Sequence, residues 1–381
     1  MGKERGRSVV KANTSQAGNT RRTVTMKQVA ERAGVHVSSV SRALNPETRS
    51  MVVPEAVARV MKAAEELGYR LDPVAASLRT GRSRLVGVLV PDIATNVFTP
   101  ILTGATERLS EHGYFVIVAY VGSDSNKQLD LAQGLIARRV DGLILATASR
   151  DDPLVSFCIE RGVPSVLVNR AEKDTRLSGV VSDELLGAQL AVDHLVELGH
   201  SRIAHLGGPR EHSTGYLRHR GFIHALSAND LDVAAAPCEF ADTYTREEGA
   251  AAARRLLSAR SDITAIVAAN DLLALGAYDV IRESGLNCPR DISVVGHNDM
   301  PLVDMVEPPL TTIRISHKEM GRQAADLLQQ AIETLDHPAR NVVLPPKLIV
   351  RGSTAAPRKG AGKKSAKAVA SNKSARISSE I

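Results

Sequence analysis

The stretch "AGVHVSSVSRALN", Ala33–Asn45, decides how the N-terminal part of the chain folds. It consists mostly of small and polar residues, so it offers little apolar surface to a hydrophobic core. In front of it, Thr25 and Gln28 form a capping-box pattern that opens a short helix, and Gly34 ends that helix. We therefore predict a second helix at about Val37–Leu44, joined to the first by a glycine turn.

A third helix follows after a polar loop. Pro54 suits a first helical position, Glu55 suits the positive N-terminal end, and Gly68 ends the helix. Three short helices, two of them joined by a glycine turn, indicate a helix-turn-helix, whose second helix enters the major groove of DNA. The residues that we expect on the outward side of that helix are Val37, Ser38, Ser39 and Arg42. The opening stretch is then small and polar because one of its sides does not belong to a core.

From Leu85 onward, short apolar strands alternate with amphipathic helices. The strand candidates are 85–90, 114–120, 142–147, 165–168, 202–208, 264–269 and 292–297. Helix-length stretches include 184–199, 245–259, 271–285 and 317–334. This alternation indicates an α/β fold with doubly wound parallel sheets that are covered on both faces. A body of this length favours two lobes over one sheet, and ligands of such folds bind beyond the carboxyl ends of the strands.

The net charge of +6 hides an asymmetry along the chain. Residues 1–84 carry 16 Lys and Arg against 7 Asp and Glu, and residues 355–381 carry 7 against 1, whereas 85–354 carry 25 against 34. Basic ends on an acidic body indicate a polyanionic partner, although the tail alone is equally explained as a solvated extension. Composition predicts that 1–23 and 355–381 are disordered.

Several protein classes are disfavoured by what the sequence lacks. No stretch approaches the ~18 apolar residues of a membrane span, and the N-terminus has no apolar signal core, so we expect a cytoplasmic protein without a membrane partner. The three cysteines, Cys158, Cys238 and Cys288, are far apart and odd in number, which fits unpaired thiols in a reducing compartment.

Enzyme motifs are incomplete. "GHSRI" at 199–203 lacks the second glycine of a nucleophile elbow, and "GAGKKS" at 360–365 lacks the first glycine and the Ser or Thr of a phosphate loop. His194, His200 and His205 match no usual metal spacing. We therefore expect no catalytic residues, no cofactor and no metal ion.

Several motifs occur in a fixed order: "VTMKQVAERAGVHVSSVSRALN", "AAEELGYRLDPVAASLRTGRS", "VGVLVPDI", "RRVDGLIL", "LVELGHSRIAHLGG", "ANDLLALGAYDVI", "DISVVGHND" and "PPLTTI". This set resembles the LacI/GalR family of bacterial transcriptional regulators, from about Val24 to about Gly352. The resemblance implies a homodimeric repressor that binds a pseudo-palindromic double-stranded DNA operator and responds to a small carbohydrate-like effector between two lobes similar to periplasmic sugar-binding proteins. The implied parts are a basic arm (1–23), a helix-turn-helix domain (24–70), a hinge helix and linker (71–84), an effector-binding and dimerisation core (85–354) and a basic tail (355–381).

The resemblance also implies which residues contact DNA. Val37, Ser38 and Arg42 are expected at base edges, where Arg42 can bind guanine with two hydrogen bonds and Val37 can pack on a thymine methyl group. Phosphate contacts are expected from Thr25, Ser39, Ser41 and Asn45. For Ser39 and Ser41 the alternative is ordinary helix surface. Leu78 takes the place of the family's hinge leucine, which wedges into the minor groove; the alternative is a linker residue covered by the body.

Three departures from the family pattern concern the DNA-binding part. His36 stands where a serine usually caps the recognition helix, and because His is a poor N-cap we leave its role open, with a phosphate contact as the hypothesis. The loop 46–53 is a few residues longer than usual. In the hinge, Pro73 is shifted by two residues and Ala76 replaces a common arginine.

The effector residues that the resemblance implies are Arg218, Asn270 and Asn298, the last within the turn 296–299, together with Phe98 and Asn169 from the other lobe. Planar amide and guanidinium groups bind adjacent hydroxyls, and an aromatic ring covers the C–H face of a sugar. The alternative for Asn169 and Asn298 is that each only caps a loop. Because both stand where aspartate is common, and because Arg218 and His297 can attract an anion, we hypothesise a sugar acid or a phosphorylated sugar.

Two other protein classes share part of the pattern. An exported sugar-binding transport protein has the same body but needs a signal sequence. A general chromosome-coating protein has basic ends but needs no two-lobed pocket. The basic tail is either a DNA tether, which adds salt-sensitive affinity, or an extension without a role.

Overall fold

The computed structural model describes residues 24–45, 48–69, 81–91, 97–122, 125–334 and 338–358. The chain divides into two compact units, Met1–Gly81 and Arg82–Ile381. The predicted arm, most of the predicted hinge with Leu78, and nearly all of the tail lie outside the described residues and stay predictions. The end of the predicted linker already belongs to the second unit, because the backbone N–H groups of Ser83 and Arg84 donate to the Asp141 carboxylate at 2.8 and 3.0 Å.

The first unit contains the three predicted helices, which are confirmed as α1 (Met26–Ala33), α2 (Val37–Leu44) and α3 (Pro54–Leu67). A 3-10 turn, Arg49–Met51, lies between the last two. Gly34 and Gly68 both have φ +64°, the left-handed conformation that glycine adopts without strain. The shared core is built from small apolar side chains, which are Val29, Ala30, Ala33, Val40, Ala43, Val60, Ala63 and Ala64.

Two arginines tie these short helices together. Arg59 Nε donates to the carbonyl oxygen of Ala33 at 3.2 Å, and Arg49 Nε donates to that of Ala43 at 2.9 Å. Both carbonyls lie in the last turn of a helix, where no intrahelical partner is available. The loop that is longer than usual therefore supplies, through Arg49, a cap for the end of α2.

The second unit begins with a parallel sheet of six strands in the order β11-β5-β4-β3-β1-β2. Its strands are β1 (Leu85–Val90), β2 (Phe115–Tyr120), β3 (Gly142–Leu145), β4 (Ser165–Val168), β5 (Ser178–Ser182) and β11 (Asn341–Leu344). The helices of this lobe are α4 (Phe98–Glu111), α5 (Ser125–Ala137), α6 (Pro153–Glu160) and α11 (His317–Glu333). The inner strands β3 and β4 are completely buried, which explains why they are short and continuously apolar.

The other lobe repeats this plan with the strand order β12-β10-β9-β8-β6-β7, in which only β12 is antiparallel to its neighbour. Its strands are β6 (Ile203–Gly207), β7 (Cys238–Phe240), β8 (Ala265–Ala268), β9 (Ser293–Asn298), β10 (Thr311–Arg314) and β12 (Lys347–Ile349). Its helices are α7 (Glu184–Glu197), α8 (Ser213–Ala228), α9 (Arg246–Ala259) and α10 (Asp271–Glu283). The predicted α/β class with two doubly wound lobes is confirmed. No helix in the described ranges has the length and apolar content of a membrane span.

Helix α11 packs on α4 and completes the first lobe from a late part of the chain. The contact is close because a side chain is missing on both helices. A Cβ atom on Gly104 would lie 2.0 Å from the carbonyl oxygen of Lys318, and one on Gly321 would lie 2.0 Å from that of Ile101. At the flank of the contact, Arg108 Nε donates to Asp326 Oδ1 at 2.5 Å.

We predict that Gly104→Ala lowers the free energy of unfolding by about 1–3 kcal/mol, because the new methyl group must push the two helix backbones apart. The measurement is the midpoint of urea unfolding. The matched control is Gly134→Ala on α5, where the added Cβ meets only the flexible Arg138 Nη1 at 3.4 Å. Because alanine has a better helix propensity than glycine, Gly134→Ala should leave the free energy of unfolding unchanged or raise it by about 0.5–1 kcal/mol. Equal midpoints for both variants would contradict the close packing of α4 and α11.

Candidate functional site

The outward side of α2 is the candidate DNA-contacting surface of the first unit. Val37, Ser38 and Arg42 are exposed, as predicted, whereas Ser39 is half-buried. On the opposite side Val40 and Ala43 are completely buried in the three-helix core. Ser41 and Asn45 are also half-buried. Three side chains of different chemistry, one apolar, one hydroxyl and one guanidinium, thus project from a helix that a small core holds in place.

The expectation that His36 is a poor cap is wrong. Its Nδ1 atom accepts a hydrogen bond from the backbone N–H of Ser38 at 3.3 Å and lies 2.8 Å from Ser38 Oγ. The ring nitrogen is two bonds from Cβ, as a carboxylate oxygen of aspartate is, so it has the same reach. His36 therefore starts α2 and at the same time orients the hydroxyl group of Ser38.

The capping box at the start of α1 is present as predicted. Thr25 N donates to Gln28 Oε1 at 2.8 Å, and Gln28 N donates to Thr25 Oγ1 at 3.4 Å. The predicted role of Thr25 at a phosphate stays a prediction, and the hydroxyl group is placed at the positive end of α1, where an anion is favoured.

A cavity of about 360 Å³ lies in the second unit, at the carboxyl ends of strands from both lobes. This volume suits a small-molecule ligand. All five predicted effector residues line it, and they are Phe98, Asn169, Arg218, Asn270 and Asn298. The structure thus brings together side chains that are up to 200 positions apart in the sequence.

Four hydrogen bonds hold Arg218 in the wall of this cavity. Its Nε and Nη2 atoms donate to the two carboxylate oxygens of Glu184 at 2.6 and 3.0 Å. Its Nη1 donates to the carbonyl oxygen of Ala269 at 2.6 Å, and Nη2 lies 3.4 Å from Asn298 Oδ1. Burial alone would raise the pKa of Glu184, but the attraction of Arg218, assisted by His297, lowers it to about 2. The pair is therefore fully ionised at neutral pH.

This geometry corrects the expected role of Arg218 and His297 as attractors of an anion. The charge of Arg218 is balanced by Glu184, a residue that the sequence analysis did not single out. The pKa of His297 is lowered to about 4 by burial and by Arg218, so the ring is neutral at pH 7. Arg218 instead fixes the position of Asn298 at the cavity wall.

The asparagines occupy special backbone positions. Asn169 directly follows β4 with φ +67°, and Asn298 ends β9 with φ +112°; asparagine is enriched over other non-glycine residues at positive φ. Asn270 is the N-cap of α10, where its Oδ1 accepts from Leu273 N at 2.8 Å. Its amide nitrogen is the group that remains for a ligand.

Three further cavity residues were missed in the sequence, and they share a lack of partners. Arg170 Nε, Thr147 Oγ1 and His212 Nδ1 are buried and form no hydrogen bond within the described part of the chain. Burial lowers the pKa of Arg170 to about 10, which leaves it charged at pH 7. Burial, with a contribution from Arg170, lowers the pKa of His212 to about 3. A sequence signal existed only for Arg170, which directly follows the predicted Asn169.

The histidines that were weighed as metal ligands have structural partners. His200 lies 2.9 Å from Thr264 Oγ1, and His205 Nδ1 lies 2.9 Å from the carbonyl oxygen of Val267. His194 Nε2 lies 2.9 Å from Thr354 Oγ1. Among the residues given a position, no three His, Cys, Asp or Glu side chains are grouped as a metal site requires.

Two family models match the chain. Residues 25–72 match the model of bacterial regulatory proteins of the lacI family, and residues 192–354 match that of the periplasmic binding protein-like domain. Among similar proteins, the transcriptional regulator CelR of Thermobifida fusca is 35% identical over 342 residues, which cover 87% of this chain and 99% of the relative. The transcriptional repressor CytR of Escherichia coli is 33% identical over 334 residues, covering 87% and 96%.

Solved structures agree with these matches. A lac repressor dimer bound to operator and to the anti-inducer ONPF has a TM-score of 0.78 at 31% identity, covering 88% of this chain and all of that one. A complex of CelR with cellobiose has a TM-score of 0.67 at 32% identity, covering 87% and 99%.

We predict that Glu184→Gln lowers the free energy of unfolding by about 3–5 kcal/mol, because it leaves the Arg218 charge buried and uncompensated. The same substitution at Glu197, exposed on the same helix, should change stability by less than about 0.5 kcal/mol. Since the pKa of Glu184 is lowered, the wild-type pair stabilises fully above pH ~4.3 and loses this contribution as the pH falls towards 2. Urea unfolding at several pH values should therefore show a flatter acid dependence for the Glu184 variant; parallel curves would refute the assignment.

Proposed function

The chain belongs to the LacI family of bacterial regulatory proteins, and we propose that it is a transcriptional repressor that binds a pseudo-palindromic operator as a homodimer. The observation that carries the proposal is the combination, in one chain, of an exposed recognition helix and a cavity between two lobes that is lined by amide, guanidinium and aromatic side chains. The site of action of such a protein is the bacterial cytoplasm, where the DNA lies.

Sequence recognition is assigned to the outward side of α2. Arg42 reads guanine, Val37 packs on a thymine methyl group, and Ser38, held by His36, makes a hydrogen bond that fits either partner of a base pair. Phosphate contacts, which fix the register without reading sequence, are assigned to Thr25, Ser39, Ser41, Asn45 and the outer nitrogen of His36. Leu78 completes the assignment as the minor-groove wedge.

Control by a small molecule is assigned to the cavity. The solved relatives hold cellobiose or an anti-inducer, and we assign to this chain a carbohydrate-like effector bound by Phe98, Asn169, Arg218, Asn270 and Asn298. An effector that binds one arrangement of the two lobes more tightly shifts the population towards it, and the DNA affinity changes with that shift. This mechanism needs binding and no catalytic step. The cavity also favours a regulator over a chromosome-coating protein, because a protein that only coats DNA needs no cavity for a small molecule.

The edge strand β2 is the proposed dimer surface of the first lobe. It is the last strand of its sheet among the described strands, and Phe115, Val118 and Tyr120 on it are exposed, Phe115 by 74%. An edge strand that exposes large apolar side chains is what a monomeric protein avoids, because it invites association. A second copy of the chain, as in the lac repressor dimer, is the occupant that we assign to it.

The first test is the selection of bound duplexes from a random DNA library, which should give a two-fold symmetric consensus. We predict that Arg42→Ala weakens binding to that consensus by about 10- to 100-fold and relaxes the preference for guanine at one position per half-site. Lys62→Ala removes the same charge from the exposed side of α3 and should weaken consensus and random DNA alike by a small factor. Equal losses of specificity in both variants would overturn the role of Arg42.

The dimer assignment has its own test. We predict that Phe115→Asp shifts the protein from dimer towards monomer in sedimentation velocity, because a carboxylate in an apolar interface has no partner. The control is Ile159→Asp on α6, an apolar side chain of a different element that is 42% exposed. If both variants stay dimeric at micromolar concentration, the β2 surface is not the interface.

A further inference from the structure

We propose that the effector carries an oxyanion, a carboxylate or a phosphate on a polyhydroxyl compound, and that Arg170 is the residue that binds this group. The inference rests on the proposed effector-binding function and specifies its ligand class. The expectation from the sequence was that Arg218, in the second lobe, binds an anion. The present inference places the anion at Arg170, in the first lobe, on the other side of the cavity.

Arg170 is a buried cation without a counter-ion. The residue is 8% exposed, it lines the cavity, and its Nε has no hydrogen-bond partner in the described ranges. No carboxylate of those ranges lies within ion-pair distance of it. A guanidinium cannot release its proton at neutral pH, so its burial without a partner is strongly unfavourable in the empty protein. A bound anion removes that penalty.

The neighbouring polar groups are unpartnered in the same way. Thr147 Oγ1 is buried without a partner and can donate to an anion. His212 is the N-cap residue of the 16-residue helix α8, and its side chain makes no capping hydrogen bond. Because His212 and Thr214 line the cavity, the positive end of this helix lies at the cavity wall. The N-terminal end of α8 adds a favourable potential for an anion, and the guanidinium of Arg170 is the group that binds it.

The acidic groups at the cavity attract Arg170 only from a distance, and in the described ranges none of them forms an ion pair with it. Asp152 uses its two oxygens for the backbone N–H groups of Ser149 and Leu154, both at 2.8 Å. Glu184 is neutralised by Arg218. Glu211 and Asp242 are exposed, so water screens their charge. In the described cavity wall Arg170 is therefore a cation without an ion-pair partner, and a bound anion can supply that partner.

The rest of the cavity suits the neutral part of such a ligand. Asn298 and the amide nitrogen of Asn270 are available for hydroxyl groups, and Phe98 offers an apolar ring. A guanidinium can bind two oxygens of a carboxylate or of a phosphate at once. The shared chemistry is therefore an oxyanion at the Arg170 end and hydroxyls at the asparagine end.

The experiment uses the purified full chain and follows its thermal unfolding and the heat of binding. The probes are inorganic phosphate, gluconate against glucose, and glucose 6-phosphate against glucose, with sodium chloride keeping the ionic strength equal. We expect at least one anionic probe to raise the unfolding temperature by several degrees beyond chloride, and its neutral counterpart to do so much less. The gluconate and phosphate arms separate the two sources of the oxyanion.

The variant Arg170→Gln should abolish this increase, whereas Arg220→Gln, an exposed arginine on α8, should keep it. Without any anion, Arg170→Gln should unfold at the same temperature as the wild type or higher, because the uncompensated charge is gone; this separates a lost site from a lost fold. The inference is overturned if no anion stabilises the wild type beyond chloride, or if the increase survives in Arg170→Gln.

Operator binding, measured on the same preparations, separates the inference from the proposed function. If neutral sugars alone stabilise the protein and change its operator affinity, the result supports the repressor function and refutes the anion site at Arg170. If the protein selects no DNA sequence but anions bind through Arg170, the result refutes the proposed repressor function and supports the anion site.

Discussion

The buried ion pair of Arg218 and Glu184 is the constraint on which the cavity depends. It joins α8 to α7, and through the remaining guanidinium hydrogens it also holds the carbonyl of Ala269 and the side chain of Asn298. Since neither charge can be left alone in a dry interior, these segments must keep their positions together. The wall that presents Asn298 is therefore already organised before a ligand arrives, and the protein loses less conformational entropy when a ligand binds.

The two lobes treat their buried arginines in opposite ways. In one lobe the protein supplies the partner of Arg218 itself, whereas Arg170 in the other lobe faces the cavity without one. The cavity wall that contains Arg218 thus has its charges paired and is rigid, whereas the opposite wall contains the charge of Arg170 without an ion-pair partner. This asymmetry gives a ligand a physical reason to favour one arrangement of the lobes, because only a ligand in place satisfies both walls at the same time.

The local features were predictable from the sequence. The capping box at Thr25, the glycine at 34 and the proline at 54 each act within one turn of chain, and they placed the helices of the first unit correctly. Short edge strands such as β7 and β12 were missed because neighbours distant in sequence impose their extended backbone. Glu184 and Arg170 were missed for a related reason, since pairing of a buried charge is decided only in three dimensions. His36 was expected to be a poor cap because of the average N-cap preferences of the residue types. That average does not take into account that its Nδ1 atom can accept a hydrogen bond from the backbone N–H of Ser38.

The position of α11 and β11 in the chain sets the order in which a newly made molecule can be completed. All residues that form the core of the first unit lie between Val24 and Tyr69, so that unit can fold as soon as it leaves the ribosome. The first lobe needs residues 317–344, which are synthesised only after nearly all of the second lobe. During synthesis, a polypeptide therefore possesses the helix α2 for the time taken to translate more than 200 residues before its first lobe can be completed.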